Sequence, residues 1–154
     1  MIIEFLSVIL LLALDQWSKY MTVIHIKPRT DDLQIINGIF ELTYVENTGA
    51  AFGIFKDGTF FLIIIVIIVI IVILRYKRKI PRTKHYLPLH ILSVFIIAGA
   101  LGNLIDRIRV HYVVDMFHFY WFEFPVFNVA DIYVTCSAFL LMILLLTKYR
   151  DLEI

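Results

Sequence analysis

The chain runs FFLIIIVIIVIIVIL from Phe60 to Leu74, fifteen consecutive apolar residues without a charge. An α-helix needs about 20 predominantly apolar residues to cross the roughly 30 Å hydrocarbon core of a bilayer. With its flanking residues, this stretch predicts a membrane-spanning helix at about residues 59–76. The composition agrees, because 61% of the 154 residues are hydrophobic, more than a soluble core of this size could bury. The sequence therefore predicts one integral membrane domain over residues 1–154.

Three more stretches are apolar enough to predict spans, at about residues 2–20, 86–106 and 128–147. The expected fold class is therefore an all-α membrane protein with four transmembrane helices. The first span is the least apolar, since its uncharged part runs only from Phe5 to Leu14. It lacks a basic leading stretch and a small-residue cleavage site, so we expect a retained helix rather than a removed signal peptide.

Basic residues between the second and third spans indicate the orientation. Residues 75–84 contain six Lys or Arg in ten positions. The positive-inside rule places such a loop in the cytoplasm. Both termini are then expected to be cytoplasmic, while the connections at residues 21–59 and 106–127 face outward. Because the basic residues are localised and the net charge is only +1, no nucleic-acid partner is expected.

The first outward connection predicts a small extracytoplasmic β-sheet. β-Branched and aromatic residues surround Asn37 and Gly38, and an Asn-Gly pair in such a setting is a strong hairpin signal. We place this β element at about residues 33–53, ending in a stretch of small residues. The second outward connection is aromatic across residues 117–124, which favours a belt at the membrane interface over a groove for lipid tails.

Polar residues gather toward the outer side of the predicted bundle. Gly99, Asn103, Asp106 and Arg107 recur at the spacing of one helix face near the end of the third span. The polar residues that the topology brings to one depth are Asp15, Asn47, Asn103, Asp106, Arg107, Asp115, Asn128 and Asp131. Such a gathering predicts one site. The alternative is that polar groups only bond one another to hold the bundle together, which suits Asp15 and Asp106.

Asp115 and Asp131 are the most informative of these residues. An ionisable side chain embedded in a membrane costs roughly 2.5–3.5 kcal/mol on insertion scales, so it usually has a function. Two neighbouring carboxylates cannot both ionise comfortably, and one keeps a proton near neutral pH. The ionised member can deprotonate an attacking water while the protonated member polarises a carbonyl. This is hydrolytic chemistry that requires no metal and no covalent intermediate.

Other chemistries fit the sequence less well. His111, Asp115 and His118 have a spacing that could hold a divalent metal, but there is no His-Glu-x-x-His helix, and no metal or other cofactor is expected. A serine nucleophile has no Gly-x-Ser-x-Gly elbow, and the neighbours Ser18 and Lys19 do not face each other on a helix. The non-enzyme alternative is a small transporter or proton-relay protein. Against it, the polar residues lie at one side and do not mark a path across the membrane.

Four motifs in order resemble those of the bacterial lipoprotein signal peptidases, also called signal peptidase II. The resemblance covers most of the chain, and four motifs in order with a compatible topology are highly specific. The motifs are Asp15-Gln16-Trp17-Ser18-Lys19, Asn47-Thr48-Gly49-Ala50-Ala51-Phe52-Gly53, Gly102-Asn103-Leu104-Ile105-Asp106-Arg107 followed by Val113-Val114-Asp115, and Phe127-Asn128-Val129-Ala130-Asp131. Two residues depart from the family pattern: Met116 stands where Phe is commoner and Ile132 where Ser is common.

The resemblance implies a membrane aspartic endopeptidase that cleaves diacylglyceryl-modified prolipoproteins just before the lipidated cysteine. Asp115 and Asp131 match the catalytic pair of the family. Asn47, Asn103, Arg107 and Asn128 match positions of the substrate site, and Asp15, Lys19, Gly99, Asp106 and Ala130 match supporting positions. The expected partners are prolipoprotein substrates, membrane lipid and globomycin-type inhibitors. The protein is expected to be a monomer in the bacterial cytoplasmic membrane, with its active site toward the outer leaflet.

Overall fold

The computed structural model describes residues 2–49, 58–119 and 121–150. Its helices are α1 (Ile2–His25), α2 (Thr59–Lys77), α3 (Leu87–Val110) and α4 (Val129–Leu146), with a short 3-10 helix at Lys84–Tyr86 before α3. Its strands are β1 (Leu33–Ile36), β2 (Phe40–Asn47) and β3 (Val113–Phe119). A mostly helical chain with one small sheet is thereby confirmed.

Three helical segments of the described chain are long and apolar enough to cross a membrane: α2, α4 and the segment Lys84–Val110 that contains α3. These make the protein a multi-pass membrane protein. α1 is not among the three, although it has 24 residues. It carries Glu4, Asp15 and Lys19, and charged side chains are costly in a membrane unless they are paired. The fourth span therefore stays a prediction.

The helices alternate in direction and place the basic loop and the sheet at opposite ends. At one end, Glu4 near the start of α1 lies 3.4 Å from the ammonium of Lys77 at the end of α2. At the other end, the Thr59 hydroxyl at the start of α2 donates to the carbonyl of His111 just after α3, at 2.9 Å. α4 also begins beside β3, next to the sheet. The basic residues 75–84 thus lie at the end of the bundle away from the sheet.

α3 is the central helix, since it contacts each of the other three. It approaches α4 closely at Gly99, where a Cβ atom would lie 2.8 Å from Cγ2 of Val134. α2 differs, because Leu62 is its one buried residue and its other residues are half-buried or exposed. A helix that is apolar all round and exposed on most of its surface is typical of contact with lipid.

The predicted hairpin is formed by β1 and β2, which are antiparallel and lie next to each other in a sheet of order β1-β2-β3. Gly38 in their turn has a φ of +77°, a conformation that favours glycine. β2 also pairs with β3, with Val45 opposite Asp115 and Asn47 opposite Val113. β2, the central strand of the sheet, therefore places Asn47 next to Asp115.

The structure differs from the sequence-based boundaries at several points. The connection after α3 contains β3, where the sequence indicated an aromatic loop, because β2 offers it an unpaired edge. The β element predicted to reach residue 53 has its last described strand residue at Asn47, and residues 50–53 lie outside the described part of the chain. α1 and α3 continue to His25 and Val110, because apolarity marks only the membrane-embedded part of a helix.

Candidate active site

Asn128 and Asp131 form the N-terminal cap of α4. The side-chain oxygen of Asn128 accepts a hydrogen bond from the backbone N–H of Asp131 at 3.0 Å. In return, Oδ2 of Asp131 accepts from the backbone N–H of Asn128 at 3.1 Å. This reciprocal capping box satisfies two of the N–H groups that the start of a helix leaves without partners. It also fixes the orientation of both side chains against the backbone.

The amide nitrogen of Asn128 faces β3. It donates to Oδ1 of Asp115 at 2.6 Å, while Nδ2 of Asn47 donates to Oδ2 of the same carboxylate at 2.8 Å. Asn128 is fully buried and Asp115 is 1% exposed. One buried side chain therefore connects the aspartate on β3 with the aspartate on α4.

Asn103 forms the hydrogen bond to the other carboxylate oxygen of Asp131. Its Nδ2 donates to Oδ1 of Asp131 at 2.7 Å, and its Oδ1 accepts from the ammonium of Lys19 at 2.9 Å. Because an ammonium group can only donate, the Asn103 oxygen must face Lys19 and its NH₂ must face Asp131. As a result, all four carboxylate oxygens of Asp115 and Asp131 accept a hydrogen bond.

The surroundings of Asp115 favour its protonated form. Burial raises the pKa of this carboxyl to about 7, and the negative charge of Asp131 acts in the same direction. The hydrogen bonds from Asn47 and Asn128 oppose the shift because they favour the carboxylate. Asp115 therefore exchanges its proton near neutral pH.

This pKa predicts that stability falls as the pH rises from about 4 to about 7. The folded protein keeps a proton on Asp115 that the unfolded chain releases near pH 4, so the stabilisation is full below that pH and lost above about pH 7. Between pH 5 and pH 8, the wild type is expected to lose about 2–3 kcal/mol relative to Asp115→Asn, which does not titrate. Thermal unfolding of both proteins in one detergent measures the difference. Parallel stability curves would contradict the raised pKa.

A buried ion cluster lies behind the two aspartates. The ammonium of Lys19 is 2.9 Å from Oδ2 of Asp15 and 2.8 Å from Oδ2 of Asp106. All three side chains are almost completely buried. Oδ1 of Asp15 also accepts from the backbone N–H of Ala130 at 2.9 Å, so that a residue of α1 helps to cap α4. The cluster joins α1, α3 and α4 next to the site.

Two glycines of α3 make room for these contacts. A Cβ atom on Gly99 would meet the backbone carbonyl of Ala130, and one on Gly102 would meet the carboxylate of Asp15. Ala130 itself is fully buried and would lie 3.3 Å from the added atom at Gly102. The first turn of α4 therefore packs on α3 at a distance that larger residues would not allow.

The two aspartates line a cavity of about 480 Å³. Its polar lining residues are Asn47, Asn103, Arg107, Asp115 and Asp131, together with Thr135 and Cys136 of α4. The rest of the lining is apolar and includes four aromatic residues, Phe119, Phe122, Phe124 and Phe127, which we call the aromatic wall. Nη2 of Arg107 donates to the carbonyl of Gly49 at 3.0 Å. The cavity thus combines carboxylates, amides and a guanidinium with an extended apolar surface.

The three residues considered as metal ligands do not converge. Nδ1 of His118 lies 2.8 Å from Oε1 of Glu41. Alternation along β3 places His118 on the face opposite to Asp115, and His111 lies at the C-terminal end of α3. Across residues 2–49, 58–119 and 121–150, no group of three or more His, Cys, Asp or Glu is arranged to hold a metal ion.

Comparison with known proteins gives the family. A family model described as Signal peptidase (SPase) II matches residues 7–147. The chain belongs to the signal peptidase II family. Lipoprotein signal peptidases of Streptococcus pyogenes serotypes M1 and M2 (the latter strain MGAS10270) are 43% identical over 145 residues, which is 91% of this chain and 90% of each relative.

Solved structures agree with this membership of the signal peptidase II family. One structure described as a bacterial membrane enzyme, solved by the in meso method at 2.3 Å, has a TM-score of 0.85 at 29% identity and covers 99% of this chain and 93% of its own. A second, at 1.9 Å, has a TM-score of 0.81 at 30% identity and covers 96% and 94%. The chain is therefore a peptidase of the aspartic class, and the transporter alternative is not supported.

In this signal peptidase II, the site residues named from sequence divide into two groups. Those at the cavity surface are Asn47, Asn103, Arg107, Asp115 and Asp131, and those behind it are Asp15, Lys19, Gly99, Asp106, Asn128 and Ala130. The sequence interpretation favoured an interfacial belt at residues 117–124 over a groove for lipid tails, and the structure places Phe119, Phe122 and Phe124 in the cavity lining. A usable signal existed, because Phe119 lies four residues after Asp115 and so shares its face on a strand.

Proposed function

We propose that Asp115 and Asp131 are the catalytic pair of this signal peptidase. The observation that supports the proposal is that both carboxylates line one cavity and are linked through Asn128, whose side chain donates to Asp115 and whose backbone N–H donates to Asp131. Amide groups provide the hydrogen bonds to both carboxylates. Neutral donors allow the pair to share a proton, whereas a directly bound cation would hold a carboxylate in its ionised form.

The proposed reaction is a general acid–base hydrolysis. The ionised aspartate takes a proton from water as the water oxygen attacks the scissile carbonyl carbon. The protonated aspartate hydrogen-bonds the carbonyl oxygen, where negative charge develops. Collapse of the tetrahedral intermediate breaks the C–N bond, and the proton taken from water passes to the leaving amine. Asp115, with its pKa of about 7, is suited to be the protonated member at neutral pH.

The proposed substrate is a prolipoprotein with a diacylglyceryl group on its cysteine, cleaved just before that residue. The relatives at 43% identity are lipoprotein signal peptidases. The aromatic wall offers an apolar surface for the lipid-bearing residue, and Asn47, Asn103 and Arg107 offer polar groups for the peptide backbone. Globomycin-type inhibitors are proposed to occupy the same cavity.

We propose a single domain with four membrane spans. Three are the apolar segments described above, and the fourth is α1. The basic residues 75–84 lie at the bundle end away from the sheet, which supports cytoplasmic termini and a cavity near the outer leaflet. The enzyme is proposed to act as a monomer in the bacterial cytoplasmic membrane without a cofactor.

Cleavage assays with paired substrates test the proposed function. The purified full chain is expected to cleave a diacylglyceryl-modified prolipoprotein before its cysteine at least about 100-fold faster than the unmodified form, since each buried methylene contributes about 0.8 kcal/mol. EDTA is expected to leave the rate unchanged. Equal turnover of both substrates would contradict recognition of the lipid, and inhibition by EDTA would contradict a metal-free mechanism.

A further inference from the structure

A groove of about 290 Å³ lies between α1 and α3, near the basic end of the bundle. Its walls are mostly apolar and include Leu10, Leu11, Ile91 and Phe95. Glu4 and His90 are the ionisable residues that line it. The groove shares no lining residue with the catalytic cavity, whose α3 residues are Asn103 and Arg107, so it is separate from the proposed site of peptide cleavage.

The mouth of the groove carries more positive than negative charge. Oε2 of Glu4 is 3.4 Å from Nζ of Lys77 and 3.9 Å from Nη2 of Arg82. Among the residues that the structure describes, these two permanent cations share one carboxylate, and one positive charge is left over even with a neutral imidazole at His90. An anionic group near Lys77 and Arg82 would balance it.

His90 presents an unpaired polar atom to the same region. The residue is 5% exposed, and its Nε2 lies 3.3 Å from the carbonyl oxygen of Pro81. A carbonyl oxygen only accepts hydrogen bonds, so the proton of a neutral His90 belongs on Nε2 and Nδ1 is an acceptor. Within the described ranges, no group donates to this Nδ1, which is 3.8 Å from Oε1 of Glu4. A buried acceptor of this kind is satisfied by a hydroxyl donor.

We propose that this groove binds an anionic phospholipid with a hydroxyl-bearing headgroup. The phosphodiester lies against Lys77 and Arg82, one acyl chain lies along the apolar walls, and a headgroup hydroxyl reaches His90. The single negative charge of the phosphodiester balances the cation that Glu4 leaves over. Anionic headgroups are concentrated at the membrane surface, where Lys and Arg side chains attract them.

Native mass spectrometry of the full chain in a nonionic detergent tests the proposal, with phosphatidylglycerol and phosphatidylcholine of identical acyl chains as probes. The wild type is expected to prefer phosphatidylglycerol. The double variant Lys77→Gln, Arg82→Gln is expected to bind it roughly 10- to 30-fold more weakly, with binding of phosphatidylcholine unchanged. The matched control is Lys84→Gln with Lys148→Gln, which removes the same charge away from Glu4 and is expected to keep the preference.

Two further measurements distinguish a site for a whole lipid from a site for a phosphate group alone. Ser7→Phe fills the groove and keeps its charges, and it is expected to weaken phosphatidylglycerol binding by about tenfold. Glycerol 3-phosphate, which has no acyl chain, is expected not to compete. The unfolding temperature of each variant without lipid establishes that it is folded. Equal loss of binding in the control pair, competition by glycerol 3-phosphate, or the absence of a preference in the wild type would each overturn the proposal.

Discussion

Replacing Asp115 or Asp131 with Asn is expected to lower kcat/KM for prolipoprotein cleavage by at least about 10³-fold. Asn has nearly the same shape as Asp, so the cavity is preserved. The amide can neither take a proton from water nor pass one to the leaving amine. Because the two carboxylates act as a unit, the double variant is expected to be about as slow as the slower single variant.

The matched control for these variants is Asp32→Asn, which removes an exposed carboxylate from the connection between α1 and β1. It is expected to retain full activity. Initial rates on the lipid-modified substrate measure the effect, and mass spectrometry of the products establishes the cleaved bond. If Asp115→Asn or Asp131→Asn retained more than about a tenth of wild-type activity, the catalytic role proposed for that aspartate would be contradicted.

Lys19→Met is expected to destabilise the protein by about 3–5 kcal/mol. Met has a similar length but no charge, so Asp15 and Asp106 would be left buried without the cation that now lies 2.9 Å and 2.8 Å away. Asn103 would also lose the donor that fixes its orientation toward Asp131. Activity per folded molecule is therefore expected to fall as well.

Thermal unfolding in a single detergent measures this loss of stability, and Lys27→Met provides the comparison. Lys27 pairs with Glu46 at 3.0 Å, but the two side chains are 46% and 43% exposed, so its replacement is expected to change stability by less than about 1 kcal/mol. Adding Asp106→Asn to Lys19→Met is expected to recover part of the loss, since it removes one unpaired charge. An unchanged unfolding temperature for Lys19→Met would show that the ion cluster does not hold the helices together.

The parts of the site that follow from local patterns could be predicted from the sequence. Asp15 and Asp106 are visible as charges in or beside apolar spans. Asn128 and Asp131 stand three residues apart just before an apolar run, a spacing typical of a helix start. The hairpin of β1 and β2 is also local, because its turn and both strands lie within one short stretch.

The parts that depend on distant contacts could not be predicted. β2 and β3 pair with each other although a long segment of sequence separates them. In addition, an aromatic run is as typical of a membrane interface as it is of a strand. The contact between Asp15 and the backbone of Ala130 requires α1, α3 and α4 to pack at the small residue Gly102. Such contacts depend on the geometry of helix packing, which no single stretch of sequence specifies.

The double use of Asn128 limits how this enzyme could become resistant to drugs. Its oxygen caps α4 and its nitrogen holds Asp115. A substitution of Asn128 would remove the cap, at a cost of about 1 kcal/mol, and release a carboxylate proposed to be catalytic. A resistance mutation at this position is therefore expected to inactivate the peptidase. The phenylalanine side chains of the aromatic wall form no hydrogen bond with the cap of α4 or with Asp115, so resistance is expected to arise there first.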